Sequence, residues 1–305
     1  MATVNKKSDI EIANEKAERI MNAVSRLTAY YRANIHRFAE EYLGLSLRLF
    51  QKICLFMMEY STNFMFIAAR GLGKSFLIAI YAVCKAILYP GTIIVVSAKA
   101  RKQAIGILEK ITQILMPSSP NLRREIKNVV VNQSNAEIEF HNKSIIKVAT
   151  ANDNSRFLRA HILIYDEFRM LDLNIINMVL RKFLSTPRQP GYLSKPEYEN
   201  YPTEPNKEMY LSSAWMKAHW AYQRMMAYVT NFLDGRGYFV CGLPYQLSIK
   251  EKLLDRQQVE NEMSESDFNE FMYSIDFCAI KTYLTLSGVY KARLAIIGND
   301  NQALC

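Results

Sequence analysis

The sequence predicts an α/β fold with a mainly parallel central sheet flanked by helices, and three observations predict it. Short apolar runs recur between longer helix-prone stretches, the pattern of strands covered on both faces. Two of those runs end in chemistry: Phe64 to Ile67 leads into Ala68-Ala69-Arg70-Gly71-Leu72-Gly73-Lys74-Ser75, and His161 to Tyr165 leads into the adjacent carboxylates Asp166 and Glu167. Half of the 305 residues are apolar, enough for a substantial core and too many for general disorder.

Taken in order, Ile12 to Ala33 carries apolar residues at Ile20, Val24, Leu27 and Tyr31 with charges between them. That spacing predicts an amphipathic helix ahead of the core, and residues 1–34 are set apart as a helical extension. Leu47-Arg48-Leu49-Phe50-Gln51 precedes a second helix over Lys52 to Glu59. After the Phe64 strand, a helix runs from Phe76 to Leu88 and is stopped by Pro90-Gly91. Thr92 to Ser97 reads as a buried strand. Lys99 to Met116 reads as a helix whose first turn carries Lys99, Arg101 and Lys102, cations that oppose the helix dipole and so suit either solvent or a phosphate ligand. Asn128 to Val131, Ala136 to Phe140 and Ser144 to Ala149 read as strands, the last two forming a hairpin around residues 141–143.

A polar loop with Arg156 and Arg159 enters the strand that ends at Asp166 and Glu167. Leu173 to Leu184 reads as a helix, and Ser185 to Asn206, rich in proline and charge, as the longest irregular stretch. Glu208 to Ala214 reads as a strand ending in Ser212 and Ser213, Trp215 to Phe232 as a helix, and Tyr238 to Tyr245 as the last core strand. Ile249 to Phe277 is an acidic helical lid or linker in this reading. Residues 35–247 are thus the main domain, and 248–305 a linker and tail. There is no internal repeat and no low-complexity segment.

A phosphate cradle needs converging backbone N–H groups, a cation for the β- and γ-phosphates and a hydroxyl for Mg²⁺; the loop from Ala69 to Ser75 supplies these through Gly71, Gly73, Lys74 and Ser75. The pattern departs from G-x-x-x-x-G-K-[ST] at its first position, which is Ala68, and it places Arg70 inside the loop. Read alone, the octapeptide is also a plain strand-to-helix turn with an exposed lysine, and the acid pair a solvated strand end. Found in this order and spacing, they point to a P-loop NTPase: Asp166 for the metal, Glu167 to orient or deprotonate the attacking water. Gln51, just upstream, has an amide that can pair with a donor and an acceptor on adenine, or it is a surface glutamine.

Net charge is +9 and the pI about 9.2, which suits a partner with a phosphate backbone. The five cysteines are scattered, with no C-x-x-C or Cys/His cluster, so a disulfide framework and structural zinc are not expected, and a reducing compartment is. The N-terminus has no apolar leader and no run of 18 apolar residues occurs, so the chain reads as soluble and intracellular, with no membrane partner.

Five elements together resemble the ATPase, or motor, part of a tailed-phage terminase large subunit. They are Leu47 to Gln51, the deviant phosphate loop with its internal arginine, Val95-Val96-Ser97-Ala98-Lys99-Ala100-Arg101-Lys102-Gln103-Ala104, the run from Ser155 through Glu167, and Leu211-Ser212-Ser213-Ala214. The resemblance covers roughly residues 35–277. It implies that Gln51 touches adenine, that Arg70, Lys74 and Ser75 meet the phosphates and Mg²⁺, that Asp166 and Glu167 are the metal-side and catalytic acids, and that Ser212 with Ser213 couples ATP hydrolysis to movement. It further implies a ring of subunits that packages double-stranded DNA into a procapsid through the portal protein, with a small terminase subunit as a possible further partner, in the host cell cytoplasm. Alone, the chain is expected to be monomeric. The family's nuclease domain is not expected here, because residues after Asp276 show no acidic cluster able to hold two metals. A helicase-like translocase would need a second motor lobe, and a non-catalytic DNA-binding assembly protein would not need Lys74, Ser75, Asp166 and Glu167 all in place.

Overall fold

A computed structural model describes residues 9–132, 135–150, 158–196, 200, 203–215 and 218–265. The chain begins with the long helix α1 (Asp9–Ala33), then α2 (Ile35–Arg37), a π-helical turn (Phe38–Tyr42) and α3 (Leu49–Tyr60). Next come β1 (Asn63–Ala68), α4 (Lys74–Leu88), β2 (Ile93–Ala98) and α5 (Arg101–Lys110), which continues through a π-helical turn into α6 (Met116–Ser118). The short α7 (Pro120–Glu125) leads to β3 (Ile126–Val131), β4 (Ala136–Phe140) and β5 (Ile145–Thr150). After β6 (Ile162–Asp166) come α8 (Leu173–Met178) and a 3₁₀ turn (Leu180–Ser185), then β7 (Lys207–Ser212), α9 (Trp220–Leu233), β8 (Tyr238–Leu243), α10 (Tyr245–Lys250) and α11 (Arg256–Glu265).

The strands form one eight-stranded sheet in the order β3-β4-β5-β2-β6-β7-β1-β8. From β5 to β8 every pairing is parallel, as expected where helices make the crossovers; β3-β4-β5 is an antiparallel edge. The apolar runs divide their side chains between two cores. Phe64, Phe66, Ile162, Ile164, Met209 and Leu211 face the α3, α4 and α5 side. Met65, Ile67, Leu163, Tyr165 and Tyr210 face the α8 and α9 side. Alternation on strands that read as continuous apolar runs is what a sheet covered on both faces requires. The sheet order places β7 between β1 and β6, with Ser212 beside Ile67 and Leu211 beside Asp166. Everything chemical thus converges at the carboxyl ends of three adjacent strands.

At the opposite end of the sheet, the Lys207 ammonium closes the C-terminus of α3. It donates to the carbonyls of Met58 (3.2 Å), Ser61 (2.8 Å) and Glu59. Glu59 in turn accepts from Lys85 Nζ and from the Tyr89 hydroxyl, both at 2.7 Å. Four orphan carbonyls end every α-helix, and here a strand residue satisfies several of them.

The amphipathic helix expected ahead of the core is α1; its Ile20, Val24 and Leu27 are exposed, and its last turn docks through Tyr31 on the core and Arg32 Nε donating to the Leu88 carbonyl at 2.9 Å. Three expectations are corrected. The helix expected over 173–184 is α8 followed by a 3₁₀ turn, broken at Val179 (φ −119°). The helix expected from Trp215 begins at Trp220, where His219 Nδ1 accepts from the Ala221 N–H at 3.2 Å. The lid starts earlier, at Tyr245. Its residues 266–277 and the residue Arg156 lie outside the described residues.

Candidate nucleotide site

The loop between β1 and α4 turns through two left-handed glycines, Gly71 (φ +83°) and Gly73 (φ +71°), the second being the N-cap of α4. Only glycine adopts these angles without strain, and the result aims the first turn of α4 at the sheet end. Lys74 opens the helix; its Nζ donates to the Ala68 carbonyl at 3.0 Å and stands 3.5 Å from Glu167 Oε1. Ser75 Oγ donates to Asp166 Oδ2 at 3.4 Å. The side chains of Lys74, Ser75, Asp166 and Glu167 therefore do come together.

Asp166 is 2% exposed, and its Oδ1 has no hydrogen-bond partner among the described residues. Burial, followed by the nearby Glu167 carboxylate, raises its carboxyl to about 6, against the opposing pull of Lys74, Ser75 and Gln103. A buried carboxylate oxygen without a donor, beside a serine hydroxyl, fits a hard cation such as Mg²⁺. Among the described residues no cluster of three or more His, Cys, Asp or Glu could hold a metal by itself, so such an ion would rest on Ser75, Asp166, water and phosphate oxygens.

Glu167 follows β6 in a left-handed conformation (φ +49°), unusual for a residue with a side chain. Its Oε2 accepts from Ser212 Oγ at 2.9 Å and from the Ser213 N–H at 3.3 Å. Both serines expected at the end of β7 thus touch the candidate catalytic acid directly.

The remaining positions are more mixed. Gln51 is buried in the first turn of α3, and its Oε1 accepts from the Arg48 N–H at 2.9 Å, a helix cap. Its Nε2 lies 4.0 Å from where a Cβ on Gly73 would stand, so the donor half of the amide borders the loop while the acceptor half is engaged. The Ala69 N–H donates to the Leu243 carbonyl of β8 at 3.1 Å, which anchors the loop to the sheet edge. Leu72 is buried and holds the loop from below, and Arg70 is exposed, with its carbonyl accepting from Ser248 Oγ at 3.2 Å. Arg159 lies before β6, at the end of the strand away from Asp166, and its Nη1 donates to Ser185 Oγ (2.6 Å) and Thr186 Oγ1 (3.2 Å). Two contacts were not legible in the sequence: Gln103, named there only as part of the run after β2, stands beside Asp166, and Arg169 Nε stands 3.7 Å from Glu167 Oε2.

Residues 55–193 match the family model "Terminase large subunit, ATPase domain". No curated protein matches the sequence significantly. Among solved structures, the HK97 bacteriophage large terminase is similar at 16% identity over 61% of this chain and 37% of that one, with a TM-score of 0.48. The Thermus phage P74-26 large terminase ATPase domain is 16% identical over 64% of this chain and 90% of that one, with a TM-score of 0.40. The large terminase of a thermophilic bacteriophage, solved in complex with ADP, is 12% identical over 71% of this chain and 50% of that one, with a TM-score of 0.45. The match spans well under half the length of the HK97 protein.

Proposed function

We propose that this chain, whose residues 55–193 match the terminase large-subunit ATPase family model, binds and hydrolyses ATP as the motor of DNA packaging. The observation that carries the reading is the meeting of Lys74, Ser75, Asp166 and Glu167 at one sheet end, with Ser212 and Ser213 inserted between the loop and the acid pair.

In this mechanism the N–H groups of the loop through Ser75 and the N-terminus of α4 cradle the phosphates. Lys74 exchanges the Ala68 carbonyl for the β- and γ-phosphate oxygens. Ser75 and Asp166 would hold Mg²⁺, which would neutralise charge on the phosphate oxygens. Glu167 orients the attacking water and accepts its proton. Arg70 reaches the γ-phosphate from within the loop, and the Gln51 amide donates toward the base. Because Glu167 Oε2 is held by Ser212 and Ser213, release of the acid on turnover is felt at the end of β7; this is the proposed link to movement. The +9 charge supports double-stranded DNA as the track. Translocation into a procapsid through a portal, by a ring of subunits and with or without a small terminase subunit, is proposed from the family.

Glu167→Gln should keep nucleotide affinity while lowering turnover by about two orders of magnitude, the usual scale of general-base loss. Lys74→Ala should lose both. Steady-state hydrolysis with a fluorescent-nucleotide titration checks this, and Glu167→Gln hydrolysing at the unmutated rate would remove Glu167 from the reaction.

A further inference from the structure

We propose that Arg169 is the positioning residue that sets the Glu167 carboxylate and ties its orientation to the segment Ala214-Trp215. The inference rests on the reading of Glu167 as the group that orients the attacking water. Arg169 stands in the 3₁₀ turn directly after β6 (Phe168–Met170), with its side chain only 13% exposed. Its Nη1 donates to the Ala214 carbonyl at 3.1 Å, and its guanidinium carbon lies 4.4 Å from the centre of the Trp215 ring. Those two contacts hold the planar group in place. Its Nε is buried without a hydrogen bond and stands 3.7 Å from Glu167 Oε2.

A buried donor without an acceptor is costly, and 3.7 Å is just outside hydrogen-bond range, so a small rotation of the carboxylate would complete a charge-assisted bond. The two oxygens of Glu167 then have separate duties. Oε1 faces Lys74 and becomes available to water when Lys74 turns to a phosphate; Oε2 is kept in place by Ser212, Ser213 and Arg169. Once Lys74 turns to a phosphate, the serines alone leave the carboxylate without a countercharge, and Arg169 supplies one. Arg169 and Trp215 also wall an open cleft of about 560 Å³ with Lys99, Asp172 and His219. A displacement of Trp215 in that cleft would therefore reach Glu167 through the stacked guanidinium.

The test is steady-state ATP hydrolysis by the full chain, with affinity for a fluorescent ATP analogue measured in parallel. Arg169→Gln should lower kcat by about 10- to 100-fold, the range typical for partners that orient an active group, with KM and analogue affinity unchanged within about twofold. Arg169→Lys, which keeps the charge, should recover part of that loss. Trp215→Ala should lower kcat by a smaller factor and add nothing in the Arg169→Gln background. Should Arg169→Gln melt below the assay temperature, Trp215→Ala decides, and an unchanged kcat there overturns the proposal. Glu167→Gln separates the two readings. If it hydrolyses normally, the role of Glu167 fails whatever Arg169 does. If it is inactive while Arg169→Gln keeps full kcat, or loses kcat and affinity together with no recovery in Arg169→Lys, the positioning role alone is overturned.

Discussion

At the residue scale, Asp166 carries a cost in stability that a candidate metal-side acid would explain. Its carboxyl is buried, partly unpartnered and raised to about 6, so ionising it in the folded chain is unfavourable. Because the folded value lies above the ordinary value of 3.8, this residue's stabilising contribution is full below 3.8 and is lost as pH rises through about 6. Asp166→Asn should therefore stabilise the nucleotide-free chain at pH 8 by about 1–3 kcal/mol, following about 1.4 kcal/mol per pKa unit, while abolishing hydrolysis. The gain should shrink at pH 5, and thermal melts at the two pH values check it; an equal gain at both would mean that burial of charge is not the cause. The residues of this site were legible where local chemistry demands fixed spacing: two glycines, a lysine and a serine in one turn, and an acid pair at a strand end. Arg169 was not, and Gln103 stood in a recognisable run without a role, because their contacts run to Glu167, Ala214, Trp215 and Asp166, partners brought together by strand order. For Gln51, sequence position placed the residue beside the loop but could not reveal that its acceptor was committed to a helix cap.

Among the elements, strands were easier to read than the ends of helices. A strand buried on both faces leaves an apolar run bounded by turns, and β1, β2, β6 and β7 all do so. The sequence reads α9 as starting five residues early, at Trp215 rather than Trp220; Trp215 instead stacks on Arg169, a tertiary contact with no local signature. The lid shows a second nonlocal effect. A Cβ on Gly71 would stand 2.7 Å from Leu254 Cγ, so the turn between α10 and α11 packs directly on the phosphate loop. Gly71→Ala should thus be disfavoured twice, by its φ of +83° and by that contact. The backbone part alone is on the order of 1–2 kcal/mol. Urea denaturation and nucleotide affinity of Gly71→Ala, Leu254→Ala and the double variant separate the two parts: Leu254→Ala should relieve only the steric share. If the double variant were no better than Gly71→Ala, packing of the lid on the loop would not be the source.

At the scale of the whole molecule, the proposed function makes two predictions, one for the source of a cation at the γ-phosphate and one for the partner of the net positive charge. Arg70 sits between Ala69 and Gly71, within reach of a nucleotide in its own subunit, which favours action in cis. Mixing Arg70→Ala with Lys74→Ala subunits should leave hydrolysis low, since neither subunit then has a complete site; recovery in the mixture would place the arginine across an interface. The net charge of +9 was plain in the composition, but composition cannot say whether that charge is spread for solubility or spent on a ligand. Salt dependence can. Each DNA phosphate neutralised by Lys or Arg releases bound counterions, so affinity for duplex DNA should fall by at least about tenfold between about 50 and 200 mM salt, with little dependence on sequence. Fluorescence anisotropy with two unrelated duplexes measures both. A motor that must pass over every sequence should show equal slopes for the two, because phosphate contacts carry no base information. A flat response would mean that duplex DNA is not the direct track and that the net positive charge serves a protein partner. Steep but sequence-dependent binding would point to base readout, which is incompatible with uniform translocation.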